Sequence, residues 1–122
     1  MTTMTAQNQS YKRGDVVLVL FPNADLRSER LRPALVVQAD ELATDLPQVI
    51  VAMLTSRMFR ANHPSRVPIL LASPEGQQAG VLSDSVVMTD NLATVLISEI
   101  DRAIGYLPMA KIDVALRHTL GL

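Results

Sequence analysis

The arginines of this chain fall mainly in two short runs. Arg27, Arg30 and Arg32 lie in RSERLR, and Arg57, Arg60 and Arg66 lie in RMFRANHPSR. Arg32 stands directly before Pro33, where a polar loop returns to an apolar strand. A guanidinium fixed at a strand entrance suits a phosphate, because its rigid fork of donors meets two oxygens at once. Two further polar positions close apolar runs: Thr55 with Ser56 after VIVAML, and Asp90 with Asn91 after VVMT. A hydroxyl beside an arginine can donate to phosphate, and a carboxylate can accept a proton. Together they suit phosphodiester cleavage. The carboxylate would move the proton of an RNA 2′-hydroxyl while the guanidinium stabilised charge on a phosphorane-like transition state. Phe59, between Arg57 and Arg60, adds a stacking ring beside backbone-binding charge, as single-stranded nucleic acid requires.

Each residue has a plainer role beside this one. Arg32 can pair with Asp25 or Glu29 across its loop, and Thr55 with Ser56 can simply end a strand. Asp90-Asn91 is a good turn dipeptide. Phe59 can fold back onto the domain or fill a subunit interface. His63 reads as a solvated loop residue and His118 as a surface charge on a final helix. Taken singly, none identifies an enzyme.

The elements that must position these residues are short strands. Val16–Phe21 is continuously apolar and bounded by Gly14 and Pro22, which predicts a strand buried on both faces. Asn23–Leu31 reads as a loop and Ala34–Gln38 as a second strand, followed by the irregular DELATDLP. Val49–Ser56 and Val67–Leu71 follow as strands, and Pro74-Glu75-Gly76 as a turn. Ser85–Thr89, Ala93–Leu96 and Ile104–Leu107 complete the strands, with a weak helical turn over Ser98–Arg102 capped by Ser98. Pro108 fits a first helical position, and Met109, Ile112, Leu116 and Leu120 repeat at helical spacing up to a stop at Gly121. Short strands with one terminal helix predict a small, partly open antiparallel barrel.

At 122 residues, 48% hydrophobic and 19% charged, the chain suits one ordered domain over residues 11–122 behind a flexible tail at 1–10. It has no Cys, so no disulfide, thiol nucleophile or thiolate metal site, and its two His are far apart in sequence. No metal or other cofactor is expected. The first ten residues lack the apolar core of a signal peptide, and no apolar run approaches a membrane span, so a cytoplasmic protein without membrane contact is expected. Net charge is -1, yet six of the eleven Lys and Arg sit in the two runs above. A local basic groove on a near-neutral protein follows if the fold brings the runs together.

The order GDVVLV, RPALVV, VIVAMLTS and IGYLP-plus-helix resembles the MazF/PemK toxins of bacterial toxin–antitoxin pairs, from Arg13 to Leu122. The resemblance implies an SH3-like barrel assembled as a homodimer. It implies metal-independent cleavage of single-stranded mRNA to a 2′,3′-cyclic phosphate, and a cognate antitoxin that blocks the groove. By position, Arg32 matches the family's catalytic arginine and Thr55 the threonine ending its third strand. Asp90, Asn91 and Thr94 match an acidic–Gln–x–Arg–Thr run. The implied catalytic set is Arg32, Thr55 and Asp90. Ser56, Asn91, Arg30, Arg57, Phe59, Arg60 and Arg66 would bind substrate. Ala93 stands where that run carries arginine, and Asn91 replaces Gln; Arg57, Arg60 or Arg66 would then supply the missing cation. A second reading, from the similar fold of the gyrase inhibitor CcdB, is a barrel that acts by protein binding or as a dimeric scaffold.

Overall fold

The computed structural model describes residues 10–22 and 27–122, with Pro22 by its backbone alone. Residues 1–9 of the expected tail and 23–26 of the expected first loop lie outside the described residues. Six strands, β1 (Asp15–Pro22), β2 (Glu29–Val36), β3 (Gln48–Thr55), β4 (Arg66–Ile69), β5 (Ser85–Leu96) and β6 (Ile100–Tyr106), form one antiparallel sheet. Their order is β4-β5-β3-β2-β1-β6. Two helices, α1 (Pro74–Ala79) and α2 (Ala110–Leu120), complete the fold. The mainly β architecture with a C-terminal helix is the one implied by the sequence.

Strand alternation divides the apolar residues into two cores, one on each side of the sheet. Val16, Leu35, Ala52, Leu54 and Val87 face one core, closed by Ile112 and Ala115 of α2. Val17, Val19, Ala34, Val51 and Val86 face the other. In this second core Ile100 at the head of β6 packs with Val95 of β5, although four sheet positions separate those strands. The sheet therefore curls around it, as a partly open barrel does. Val16, Val17 and Val19 are fully buried, but Leu18 is only partly covered and Leu20 is exposed. Burial on both faces thus holds for the first half of β1 alone.

The short helix α1 corrects the turn expected at Pro74-Glu75-Gly76. The Ser73 hydroxyl accepts the Gly76 N–H at 3.0 Å and starts the helix, with Pro74 at its first turn. This helix lies against edge strand β6. A Cβ on Gly105 would stand 2.1 Å from the Gln78 carbonyl oxygen, so backbone meets backbone there. Other boundaries moved, and the last strand, expected at Ile104–Leu107, is β6 at Ile100–Tyr106. β2 begins at Glu29, inside the expected loop. The expected helical turn at Ser98–Arg102 is a single 3-10 turn, Ile97–Glu99, running straight into β6. Its end is held by the Glu99 carboxylate, which accepts the Leu96 N–H at 2.8 Å, and not by Ser98. The terminal helix starts at Ala110, two residues after Pro108, and stops at Gly121, whose φ of 72° lies in the left-handed region. Ile112 and Ala115 form its buried face; Leu120 is exposed.

The two strands expected at Ser85–Thr89 and Ala93–Leu96 are one. β5 pairs with β3 throughout except at a bulge. Met53 faces Met88 and Ala52 faces Leu92, which leaves Thr89, Asp90 and Asn91 without partners on β3. Bulges of this kind bend a strand and re-aim its side chains.

Candidate active site

The site is built where β2 and β3 stop pairing. Their register runs Val36–Val51, Leu35–Ala52, Ala34–Met53 and then ends. Pro33 explains the stop. The Val37 N–H donates to Ile50 on β3, so by alternation the backbone of residues 35 and 33 also faces β3. Proline has no N–H to give there, whereas its place opposite Leu18 on β1 is undisturbed. Continued by two residues, the register sets Arg32 across from Thr55 on the same side of the sheet as Ala34 and Met53.

A groove of about 970 Å³ opens at this split. It takes walls from both faces of the sheet, with Met53, Met88 and Ala93 from one core and Leu54 and Ile104 from the other, and Leu18 of β1 lines it as well. Among the described residues five arginines line it, Arg30, Arg32, Arg57, Arg60 and Arg102, and no carboxylate does. Among the described residues, Arg30, Arg32, Arg57 and Arg60 have no ion-pair partner. Glu29 therefore does not hold Arg32, and Asp25 lies outside the described residues. The groove is a concentrated cationic surface on a chain of net charge -1.

Thr55 is set for donation. Its Oγ1 accepts the Arg57 N–H at 3.2 Å, which fixes the side chain and leaves the hydroxyl proton for a ligand. Ser56 and Asn91 also line the groove, Asn91 from the β5 bulge. Arg60 reaches the wall through Met88, its Nη1 lying 3.9 Å from the sulfur. Its guanidinium stands 5.7 Å from the centre of the Phe59 ring.

Three expected residues are not on the wall: Asp90, Arg66 and Phe59. Asp90 and Arg66 hold each other at 2.7 Å, and Arg66 also donates to the Arg60 carbonyl at 3.3 Å. The hydrogen bond from Arg66 keeps the Asp90 carboxyl below its ordinary range, a weaker base than a free aspartate, and raises Arg66 in return. Phe59 is 79% exposed, so it does not fold back onto the barrel of its own chain. His63 and His118, distant in sequence, meet edge to face with ring centres 6.1 Å apart. His63 is tied to its own loop, Nδ1 accepting the Ser65 N–H at 3.1 Å.

Below these, a hydrogen-bond chain secures the bulge. The buried Thr89 hydroxyl donates to the Ser65 carbonyl at 2.6 Å and lies 2.7 Å from the Thr119 hydroxyl of α2. Sequence reasoning missed both this anchor and Arg102. Arg102 sits beside Asp101 in a segment whose spacing suggested a helical turn. A smaller apolar cavity of about 350 Å³ lies between β4 and the start of α2 and contains none of the expected residues. Among the described residues no three His, Asp or Glu side chains gather as a metal site. No helix among them is long and apolar enough to cross a membrane.

Comparison with known proteins bears on the family and the fold. A family model described as PemK-like, MazF-like toxin of type II toxin-antitoxin system matches residues 12–120. Endoribonuclease EndoA of Bacillus subtilis (strain 168) is 31% identical over 115 residues, which span 91% of this chain and 95% of that one. A mycobacterial endoribonuclease solved in complex with its cognate antitoxin shares the fold at TM-score 0.69 and 24% identity, over 93% of this chain and 97% of its own. A MazE-MazF structure from Deinococcus radiodurans does so at TM-score 0.68 and 20% identity, over 92% and 96%. The chain thus belongs to the PemK-like, MazF-like toxins of type II toxin–antitoxin systems.

Proposed function

We propose that this toxin is a metal-independent endoribonuclease of single-stranded mRNA, acting in the cytoplasm to inhibit translation and growth. The observation that carries the reading is the groove itself: Arg32 and Thr55 at the split between β2 and β3, four further arginines around them and, among the described residues, no carboxylate on the wall. Such a surface binds a polyanion and stabilises added charge at one phosphate. The reading is supported by the name of the Bacillus relative, an endoribonuclease, and by the mycobacterial neighbour solved with its antitoxin. On the same grounds a cognate antitoxin blocks the groove, and the toxin works as a homodimer.

In the reaction the RNA 2′-hydroxyl gives its proton to water as its oxygen attacks the adjacent phosphorus, and the 5′-oxygen of the next nucleotide leaves and takes a proton from water, giving a 2′,3′-cyclic phosphate. Arg32 grips the non-bridging oxygens as their charge grows. Thr55 donates its hydroxyl proton to the same group, and Ser56 and Asn91 orient the strand. Asp90 serves as a positioning residue. Its carboxylate is committed to Arg66, and that pair sets the bulge that carries Asn91.

The test is incubation of the purified protein with a long single-stranded RNA in EDTA, beside Arg32→Ala. Discrete cuts by wild type should fall by about 10²–10³ in the variant, the usual cost of removing one charge-stabilising donor. A folded wild type that leaves the RNA intact sinks the nuclease reading and favours action by protein binding.

A further inference from the structure

One stretch of the groove wall is not used by the catalytic set. That stretch is made by residues 80–83, after α1, together with β6. Leu82 projects from it and is 95% exposed, the most exposed large apolar side chain among the described residues. Its exposure is not a matter of a loose loop. Val81 beside it is buried in the core. Gly80 lies so close to β6 that a Cβ there would stand 2.2 Å from the Ile104 carbonyl oxygen. The far end of the segment is pinned as well, because Asp84 accepts the Leu71 N–H at 2.8 Å and the Ser85 hydroxyl donates to the Ser83 carbonyl at 2.9 Å. A large apolar group is thus held rigidly in water at the rim of a cationic groove.

Arg102 lines the same groove. Between Leu18–Arg102 and Val19–Ile100 the β1–β6 register skips one residue, leaving Asp101 unmatched in a bulge. Arg102 lines the groove and Asp101 does not. The ion pair between these sequence neighbours is solvent-exposed, with side chains 62% and 45% accessible, so it is readily exchanged for a phosphate. Leu18 and Ile104 give the wall an apolar floor, and Ser83 adds a hydroxyl.

We propose that Leu82 and Arg102 form a second nucleotide subsite, Leu82 covering the face of a base next to the cleaved bond and Arg102 holding its phosphate, and that the pair helps set cleavage-site preference. This rests on the endoribonuclease reading above. A rigid apolar face with one guanidinium suits an unstacked nucleotide, whereas a uniformly charged wall would bind backbone without regard to base.

The experiment compares wild type, Leu82→Ser and Arg102→Gln on single-stranded RNAs randomised around one cleavage site, with the cut ends sequenced. The same proteins are titrated with a 2′-O-methylated RNA, which cannot be cut, over a salt series. Leu82→Ser should weaken base preference at one position by about fivefold or more. Arg102→Gln should raise KM more than it lowers kcat and reduce the log–log salt slope of binding by about 0.7, one phosphate contact. Both side chains are exposed, so the variants should melt with wild type. Wild-type preference and slope in both variants overturn the subsite. Binding of the methylated RNA that depends on Leu82 and Arg102, with no cleavage by wild type, overturns the nuclease reading and leaves the subsite standing.

Discussion

Arg32 and Thr55 line the split between β2 and β3 that opens where Pro33 removes one donor from the ladder, and the division of labour among the polar residues follows from that gap. Asp90 shows how partners decide a role. Its carboxyl lies below its ordinary value of 3.8, chiefly through the hydrogen bond from Arg66. A carboxylate with a lowered pKa stabilises the fold at pH above its unfolded value and ceases to do so as pH falls through the folded one. The difference in melting temperature between wild type and Asp90→Asn should therefore be present at pH 7 and vanish only below pH 3.8. Activity separates position from catalysis. Asp90→Asn should keep kcat/KM within about tenfold of wild type, whereas Arg32→Ala loses about 10²–10³. A loss in Asp90→Asn as large as in Arg32→Ala would make Asp90 the proton acceptor. Arg32 and Thr55 were legible in the sequence because each marks the end of an apolar run. The commitment of Asp90 was not, because Arg66 lies 24 residues away on another strand and no local spacing announces it.

Elements read from apolar runs were found nearly where expected, and the errors concern short-range chemistry that tertiary packing overrides. Asp90-Asn91 reads as a turn because unpaired residues in a bulge use the same residue types as a turn. Only the pairing of Met88 and Leu92 with consecutive residues of β3 shows that the strand continues. The helix α1 was likewise hidden, since its six residues begin with Pro and include Gly. What secures it is contact with β6, not propensity. Gly105→Ala tests that contact. Its new Cβ would fall within 2.6 Å of both Ala79 carbonyl atoms as well as of Gln78. Relief requires α1 to move off β6, so the expected loss is about 1–3 kcal/mol, read as a lower midpoint in urea unfolding. Because Gly80–Ser83 follows α1 directly, the same variant should change cleavage-site preference more than it changes the effect of Arg32→Ala. An unchanged midpoint would show that the sheet edge accommodates α1 without the glycine.

For the whole molecule, charge placement outweighs net charge. A chain of -1 and pI about 6.0 gives no sign of binding nucleic acid in bulk, and the two arginine runs carry that information only if the fold unites them. It does so in part. Arg30, Arg32, Arg57 and Arg60 line one groove, while Arg66 is diverted to Asp90. Arg102 joins them from β6, across β1 from Arg32, a neighbourhood set by strand pairing between distant segments and thus invisible in sequence order. Affinity for single-stranded RNA should accordingly be strongly salt-dependent despite the acidic pI. With each phosphate contact adding about 0.7 to the slope of log affinity against log salt, four or five contacts give a slope near -3. An Arg30→Gln, Arg57→Gln, Arg60→Gln triple variant should bring the slope to about -1 while the stability of the fold is kept, since none of the three forms an ion pair among the described residues. The measurement is fluorescence anisotropy of a 2′-O-methylated RNA at several salt concentrations. A flat dependence in wild type would mean that the groove recognises bases without its arginines, and the charge argument for its function would fall with it.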